Sequence, residues 1–459
     1  MSDMASSTAS RKFDTVDREY IWTYPTSFIP MKKLDKPMRL TAADWGSHNS
    51  AYVYVHVPFC KTNCTWCVFY RERHREAQVA AYVDAVVKEI EIYARMGVMR
   101  EHKIRAIYFG GGTASVLSAG QVRRIIEAIR GLAEFEHDVE ITWEGHPRTA
   151  SFDALAEARE FGVNRVSFGI QSFSGKMLRN LRIAQTPDSN HEALEMAAKA
   201  GIPFINMDMI YRIPGQAMED LERDLDLVAN SPVTGVSCYS LEAKDTRFEE
   251  GGWADAQPTE ESDREMFDLI DLRMKGNGFK RIAQPDFARA GLDCRYLEAI
   301  WGAPQAWGIG FGPGALSSEV AGWSYYNVSN LQQYIEAIIE GRAPIAAATK
   351  LTCAEAMARY FVLGVRRLEV PLKPFAEQFG RRSDDVFTQQ FSELSEAGMV
   401  RIENDVLRLT PAGIYFVDNV SKLFYTDACS EKAVPWGMFA IESSGDFPAF
   451  ETLGAQADD

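Results

Sequence analysis

Cysteine is scarce in this chain, seven residues in 459, and four of the seven (Cys238, Cys294, Cys353 and Cys429) stand far apart. That scatter carries no disulfide framework, so a disulfide-stapled secreted fold is excluded and a reducing compartment is expected. Long apolar runs are also missing, and none reaches the length of a bilayer span. The polar, Ser-rich opening from Met1 to Arg11 has no apolar signal-peptide core. The expectation is a cytoplasmic protein with no membrane association. Positive charge is in deficit, with 49 Lys and Arg against 64 Asp and Glu and a net charge of −15. A phosphate-binding surface needs the reverse, so no nucleic-acid partner is expected. The balance does not restrict a small substrate, whose site can be locally basic. The length allows two or three domains with ordinary globular cores.

What cysteine there is lies concentrated. Cys60, Cys64 and Cys67 fall within eight residues, spaced C-x3-C-x2-C, just after the apolar run 51–57 and Pro58-Phe59. That run reads as a buried strand, which places the thiols on a loop leaving its carboxyl end. Thiolates are soft ligands for iron–sulfur clusters or zinc. A structural zinc wants a fourth Cys or His at short spacing, and the nearest candidate, His74, is followed by helical sequence. Three thiols without a fourth suit a 4Fe-4S cluster with one iron left unligated by protein. Three unrelated buried cysteines are the bland alternative.

From residue 52 onward strands and helices alternate. Val79, Tyr82, Val83, Val86, Val87 and Ile90 fall at helical spacing and predict a helix over 77–96. Strands are expected at 105–109, 139–144, 165–170, 204–210 and 235–241, separated by helices at 121–132, 152–161, 191–200 and 218–228. Such βα repeats imply a parallel sheet with right-handed crossovers. Six rather than eight predict an α/β fold, an open or partial (β/α)6 barrel, whose active residues gather at the carboxyl ends of the strands. The expected division is an N-terminal extension or lid over 1–50, a barrel over 51–245 and a capping segment over 246–350. A winged-helix-like module over 351–430 and a mobile tail over 431–459 complete it. Residues 1–18 read as a disordered leader. The aromatic run Tyr20-Ile21-Trp22-Thr23-Tyr24-Pro25 is either core packing or a wall over the site.

Several polar residues end these strands. Gly110-Gly111-Gly112-Thr113 lets backbone approach a ligand closely. Glu144 closes the next strand, and Gln171 and Asp208 close the two after it. Burying Gln171 and Asp208 unpaired costs a few kcal/mol each, about 2 or more, so a bound polar ligand explains them better than packing. Arg212 can read a substrate carboxylate or cap a strand end, and His146 can donate a proton or serve structure.

The cysteine spacing, with Trp66 before the last thiol, resembles the radical S-adenosylmethionine (SAM) superfamily. The context Tyr54-Val55-His56-Val57-Pro58-Phe59-Cys60 resembles its oxygen-independent coproporphyrinogen III oxidase group, and the likeness runs from about residue 52 to 425. The resemblance implies a 4Fe-4S cluster on Cys60, Cys64 and Cys67 whose open iron takes SAM and splits it to a 5′-deoxyadenosyl radical. It implies that Gly111, Gly112 and Thr113 meet the SAM amino group, that Glu144 holds its ribose or amino-acid part, and that Tyr54 and Trp66 contact it, Trp66 beside the adenine. Gln171, Asp208 and Arg182 match a second SAM site, Arg182 one residue early. Other departures are Ala114 for Pro, His146 for an acidic residue, Arg212 for Gly, and Phe69 for a further Cys. The run Cys67-Val68-Phe69-Tyr70-Arg71 looks more like the C-methyltransferase, cyclopropanase and haem-ring-opening branch. The implied function is methyl or methylene transfer, with the second SAM, to an sp2 carbon of an aromatic, heteroaromatic or tetrapyrrole substrate. The alternatives are oxidative decarboxylation of a porphyrinogen, or a non-catalytic haem chaperone of the same group. An electron donor such as flavodoxin or ferredoxin is implied as a partner.

Overall fold

The structure, a computed structural model, describes residues 12–18, 20–25, 28–30, 33, 49–62, 64, 66–67, 69–97, 99–242, 254–320 and 322–426. The tail expected over 431–459 lies outside the described residues, as does most of the 31–48 stretch of the extension.

Six strands run parallel and neighbour one another in chain order. They are β1 (Ser50–Val57), β2 (Lys103–Gly111), β3 (Glu134–Gly145), β4 (Arg165–Gln171), β5 (Phe204–Tyr211) and β6 (Gly235–Ser240). Helices α1 (Glu76–Met96), α2 (Ala119–Arg130), α3 (Phe152–Glu160), α4 (Pro187–Lys199) and α5 (Met218–Ala229) connect them. Local sequence explains the starts. Ser118 and Gln121 form a capping box at α2, Ser151 caps α3, and Thr186 precedes Pro187 at the first turn of α4. Along α2, Val122, Ile125, Ile126 and Ile129 recur at helical spacing and are all buried, in one core with Val53, Val55 and Val57 of β1. The alternate β1 residues Tyr52, Tyr54 and His56 therefore face the concave side, because side chains alternate along a strand.

The sheet extends beyond the six repeats. A seventh strand, Trp307–Phe311, pairs in parallel with β1 on its free side. Its glycines are a packing demand. A Cβ on Gly308 would lie 2.1 Å from the Tyr52 ring, and one on Gly310 would lie 2.3 Å from the Leu316 carbonyl oxygen. Antiparallel strands then widen both edges to thirteen strands, Leu316–Val320, Trp323–Asn327, Ile345–Lys350 and Ile29–Pro30 on one side, Asp286–Arg289 and Phe279–Arg281 on the other.

The short helix Arg295–Trp301 lies against the concave face. Tyr296 packs on Tyr52 and Tyr108 with ring centroids 5.4 and 4.4 Å apart. Glu140 of β3 accepts from the Arg295 and Tyr296 backbone N–H groups at 3.1 and 3.2 Å. A carboxylate there satisfies donors that a helix start leaves over.

The C-terminal part begins with the helix Cys353–Gly364 and adds a three-stranded antiparallel sheet and several helices. Phe361 meets Phe375, Phe387, Phe391 and Phe424, forming an aromatic core. The fully buried Arg366 pairs with Asp418 and donates to the Gln284 carbonyl at 3.0 Å, tying this part to the barrel. The N-terminal segment corrects the leader expectation over residues 12–18. Phe13 packs on Phe416, Asn419 donates to the Lys12 and Thr15 carbonyls, and Arg18 pairs with the buried Asp263. Ser-rich sequence outside a hydrophobic run hid these single anchors. Ile21 and Tyr24 are buried, Trp22 lies 5.0 Å from Trp301 between ring centroids, and Tyr24 packs on Tyr425. The described part of the aromatic run is thus core packing.

Candidate active site

The three thiols follow β1 on a loop stitched to the strand ends around it. A two-residue parallel ladder pairs Phe59 with Glu72 and Cys60 with Arg73. Arg71 donates to the Cys67 carbonyl at 2.9 Å, the Cys64 carbonyl at 3.0 Å and the Phe69 carbonyl at 3.0 Å. The loop carries half-buried, free Cys60, Cys64 and Cys67. Burial, then Cys67 and Cys60, pushes the Cys64 thiol up to about 11, and burial raises the other two. Metal-free thiols here hold their protons at neutral pH, and ligation must release them.

The glycine-rich end of β2 is fastened to this loop. Gly112 N–H donates to the Val57 carbonyl and Thr113 N–H to the Phe59 carbonyl, each at 2.8 Å, and the Thr113 hydroxyl donates to Cys60 Sγ at 3.5 Å. Gly111 has φ 111°, a left-handed value, and a Cβ there would meet the His56 ring at 2.8 Å. A Cβ on Gly112 would lie 2.8 Å from the Phe59 carbonyl oxygen, and one on Gly110 would lie 3.0 Å from Glu144 Oε2 and 3.1 Å from the Tyr54 ring. Tyr54, Glu144 and the glycines therefore come together on the concave face beside the thiols.

Two further residues of this cluster, His56 and Tyr108, were not singled out from sequence. Tyr108 donates to Glu144 Oε1 at 2.5 Å. His56 lies between the Tyr54 hydroxyl at 3.2 Å and the Tyr70 carbonyl at 3.3 Å, and burial lowers it to about 4, so it is neutral. The alternation of β1 and β2, two residues on from Tyr54 and two before Gly110, carries the signal for both. Burial raises Glu144 to about 7 and, with Glu144 and Asp286 nearby, Asp208 to about 7. Asp208 accepts from the Ser167 hydroxyl at 3.4 Å and the Asn206 amide at 3.3 Å.

Gln171 ends β4 at φ 66°, a left-handed conformation uncommon outside glycine. Arg182 stands exposed on the turn after the helix Gly175–Asn180. Trp66 turns inward and packs with Met177, Leu181, Ile210, Ile213 and Leu241, its indole N–H buried without a hydrogen-bond partner. Arg212 is a strand-end cap. Its guanidinium meets the Pro258 and Leu241 carbonyls and the Glu242 and Glu260 carboxylates. The His146 ring accepts from the Arg148 backbone at 3.2 Å, and burial, then Arg148, lowers it to about 4.

The donor set fits a cluster. Among the described residues no group of three or more Cys, His, Asp or Glu is arranged to grip a metal ion, the three thiols included, so the fit rests on the chemistry of three soft thiolates on one loop. The orphaned indole N–H of Trp66, one residue before Cys67, is a buried donor that a polar ligand beside the thiols would satisfy.

A parallel α/β half-barrel with three thiols on the loop after its first strand is the architecture of a radical SAM protein. The sequence model of the radical SAM superfamily matches residues 54–228, and that of the HemN C-terminal domain matches 351–416. Anaerobilin synthase of Escherichia coli O157:H7 is 30% identical over 80% of this chain and 82% of its own. Heme chaperone HemW of Bacillus subtilis is 28% identical over 78% of this chain and 95% of its own. The solved coproporphyrinogen III oxidase (HemN) of Escherichia coli superposes with a TM-score of 0.73 over 90% of this chain and 99% of its own, at 23% identity. The chain belongs to the radical SAM superfamily, in its oxygen-independent coproporphyrinogen III oxidase-like group, whose cofactors are a 4Fe-4S cluster and SAM. Among the described residues no helix is long and apolar enough to cross a membrane.

Proposed function

We propose that this protein binds a haem-type tetrapyrrole at the carboxyl end of the barrel, beside the cysteine loop, and handles it as a haem chaperone does. The carrying observation is that relatives aligned over about four-fifths of the chain are heme chaperones, of Bacillus subtilis and Lactococcus lactis, and an anaerobilin synthase. Cys60, Cys64 and Cys67 hold the cluster, and Arg71 fixes the carbonyls of their loop. Gly111, Gly112 and Thr113 let the SAM amino group approach the backbone, Glu144 accepts its ribose or ammonium hydrogens, and Tyr54 and Trp66 flank it. When bound, cluster and SAM supply one-electron cleavage of the sulfonium. Flavodoxin or ferredoxin is the class of donor for that electron.

A second reading is radical methyl or methylene transfer to the tetrapyrrole. It is favoured by Gln171 and Asp208, polar groups on the concave face at strand ends, which with Arg182 would hold a second SAM. The test is anaerobic titration of the reconstituted protein with haem, then incubation with SAM and dithionite with and without haem. Saturable haem binding without haem-stimulated SAM cleavage is expected. Haem-dependent S-adenosylhomocysteine together with 5′-deoxyadenosine moves the conclusion to carbon transfer, and no haem binding overturns the tetrapyrrole reading. Cys64→Ala should lose the brown chromophore and all SAM cleavage.

A further inference from the structure

The cysteine loop has two faces. Trp66 turns inward onto Ile210 and Ile213, whereas Phe69 is 46% exposed. Around that outer face the chain reverses its charge. Residues 51–76 hold four cations, Lys61, Arg71, Arg73 and Arg75, against two carboxylates, Glu72 and Glu76, in a protein of net charge −15. Both carboxylates are engaged locally, Glu72 by the Tyr70 hydroxyl at 2.7 Å and Glu76 by His74 at 3.7 Å. Lys61, Arg73 and Arg75 are exposed, and among the described residues none makes a side-chain hydrogen bond or ion pair. Lys61 and Arg73 are close to a cluster ligand along the backbone. Lys61 follows Cys60, Arg73 pairs with Cys60 across the ladder, and the neighbouring His74 N–H donates to the Cys60 carbonyl at 3.0 Å.

An exposed aromatic and three exposed cations on one segment, in an otherwise acidic molecule, have the make-up of a transient electrostatic interface. Overall charge repels an acidic protein, while this patch attracts and orients one. The chain has no second cluster of cysteines, so the electron has to come from outside. We propose that Lys61, Arg73 and Arg75, with the exposed Phe69 of the same loop, form the docking surface for a small acidic one-electron carrier protein. The carrier's reduced centre is oxidised by one electron and the cluster is reduced by one, with no bond made or broken. The inference rests on the cluster assignment and is independent of what the tetrapyrrole undergoes.

The experiment uses the reconstituted full chain and a photoreduced bacterial flavodoxin, with stopped-flow bleaching of the cluster absorbance as the readout. In the wild type the rate constant should fall steeply with added salt. The triple variant Lys61→Glu/Arg73→Glu/Arg75→Glu should be slower by about tenfold or more at low salt and lose that salt dependence. Its iron content, haem affinity and reduction by dithionite should match the wild type. Arg73→Gln alone should give an intermediate rate. Equal flavodoxin rates in wild type and triple variant overturn the proposal, as does a loss shared with dithionite. A loss confined to haem affinity also overturns it, assigning the patch to propionates instead. Absence of haem binding in both proteins leaves the rate comparison intact and counts against the tetrapyrrole reading alone.

Discussion

Tyr108 donates its hydroxyl hydrogen to Glu144 at 2.5 Å across neighbouring strands. Burial raises Glu144 to about 7, and this bond, ahead of the Gly111 backbone and Arg165, keeps it from rising further. Tyr108→Phe removes a hydrogen bond to a charged group, worth ~1.5–3 kcal/mol, or about one to two pH units. If the ionised carboxylate binds SAM, wild-type affinity is full above about 7 and falls as pH drops through it. In Tyr108→Phe the fall should begin at higher pH, which equilibrium binding of SAM to the reconstituted protein at pH 6 to 9 measures.

The glycines at the end of β2 predict different losses. A Cβ on Gly112 meets the Phe59 backbone, which cannot move without displacing Cys60. Gly112→Ala should therefore retain less than half the wild-type iron after reconstitution. A Cβ on Gly110 meets side chains, those of Tyr108, Glu144 and Tyr54. Gly110→Ala should keep its iron and bind SAM about tenfold more weakly, since a displaced charge-assisted contact is worth about 1.5 kcal/mol. Iron assay and SAM binding separate the two.

Arg71 gathers three carbonyls of the cysteine loop through one planar fork. Lysine keeps the charge and loses the fork. Arg71→Lys should lose iron to a chelator several-fold faster than wild type while its cluster potential stays close. Arg71→Gln should do both, losing iron and shifting the potential to more negative values, because a nearby positive charge favours the reduced cluster. Chelation kinetics and anaerobic redox titration give the two readouts.

Glu89 of α1 is fully buried and accepts from Gly312 N–H at 3.0 Å, the Asn327 amide at 2.8 Å and the Tyr334 hydroxyl at 2.5 Å. Glu89→Gln turns an amide donor toward donors and should cost ~1–3 kcal/mol in urea denaturation of the cluster-free protein. Burial raises Glu89 to about 7. Its folded value lies above its unfolded one, so its contribution is present at low pH and is lost as pH rises from the ordinary carboxylate range through about 7. The difference between wild type and variant should be larger at pH 6 than at pH 8.

The parallel core was legible because its strands are apolar runs separated by capped helices, and Glu144, Gln171 and Asp208 showed as polar ends on such runs. The strand Trp307–Phe311 was not. Its glycines carry no strand pattern, and only the Tyr52 ring and the Leu316 carbonyl explain them. The alanines of Ile345–Lys350 hide a strand for a similar reason, since alanine alone favours helix. His56 and Tyr108 went unmarked because each earns its place through a partner on a neighbouring strand or loop. Arg212 was ambiguous because its partners lie 29 to 48 residues away.

The helix Arg295–Trp301, fastened by Glu140, sets Tyr296 on Tyr52 and Tyr108 and so occupies the hollow of the sheet at their level. Whatever docks against the thiols therefore meets the sheet at the carboxyl ends of its strands, where the glycines of β2 and Glu144 stand together.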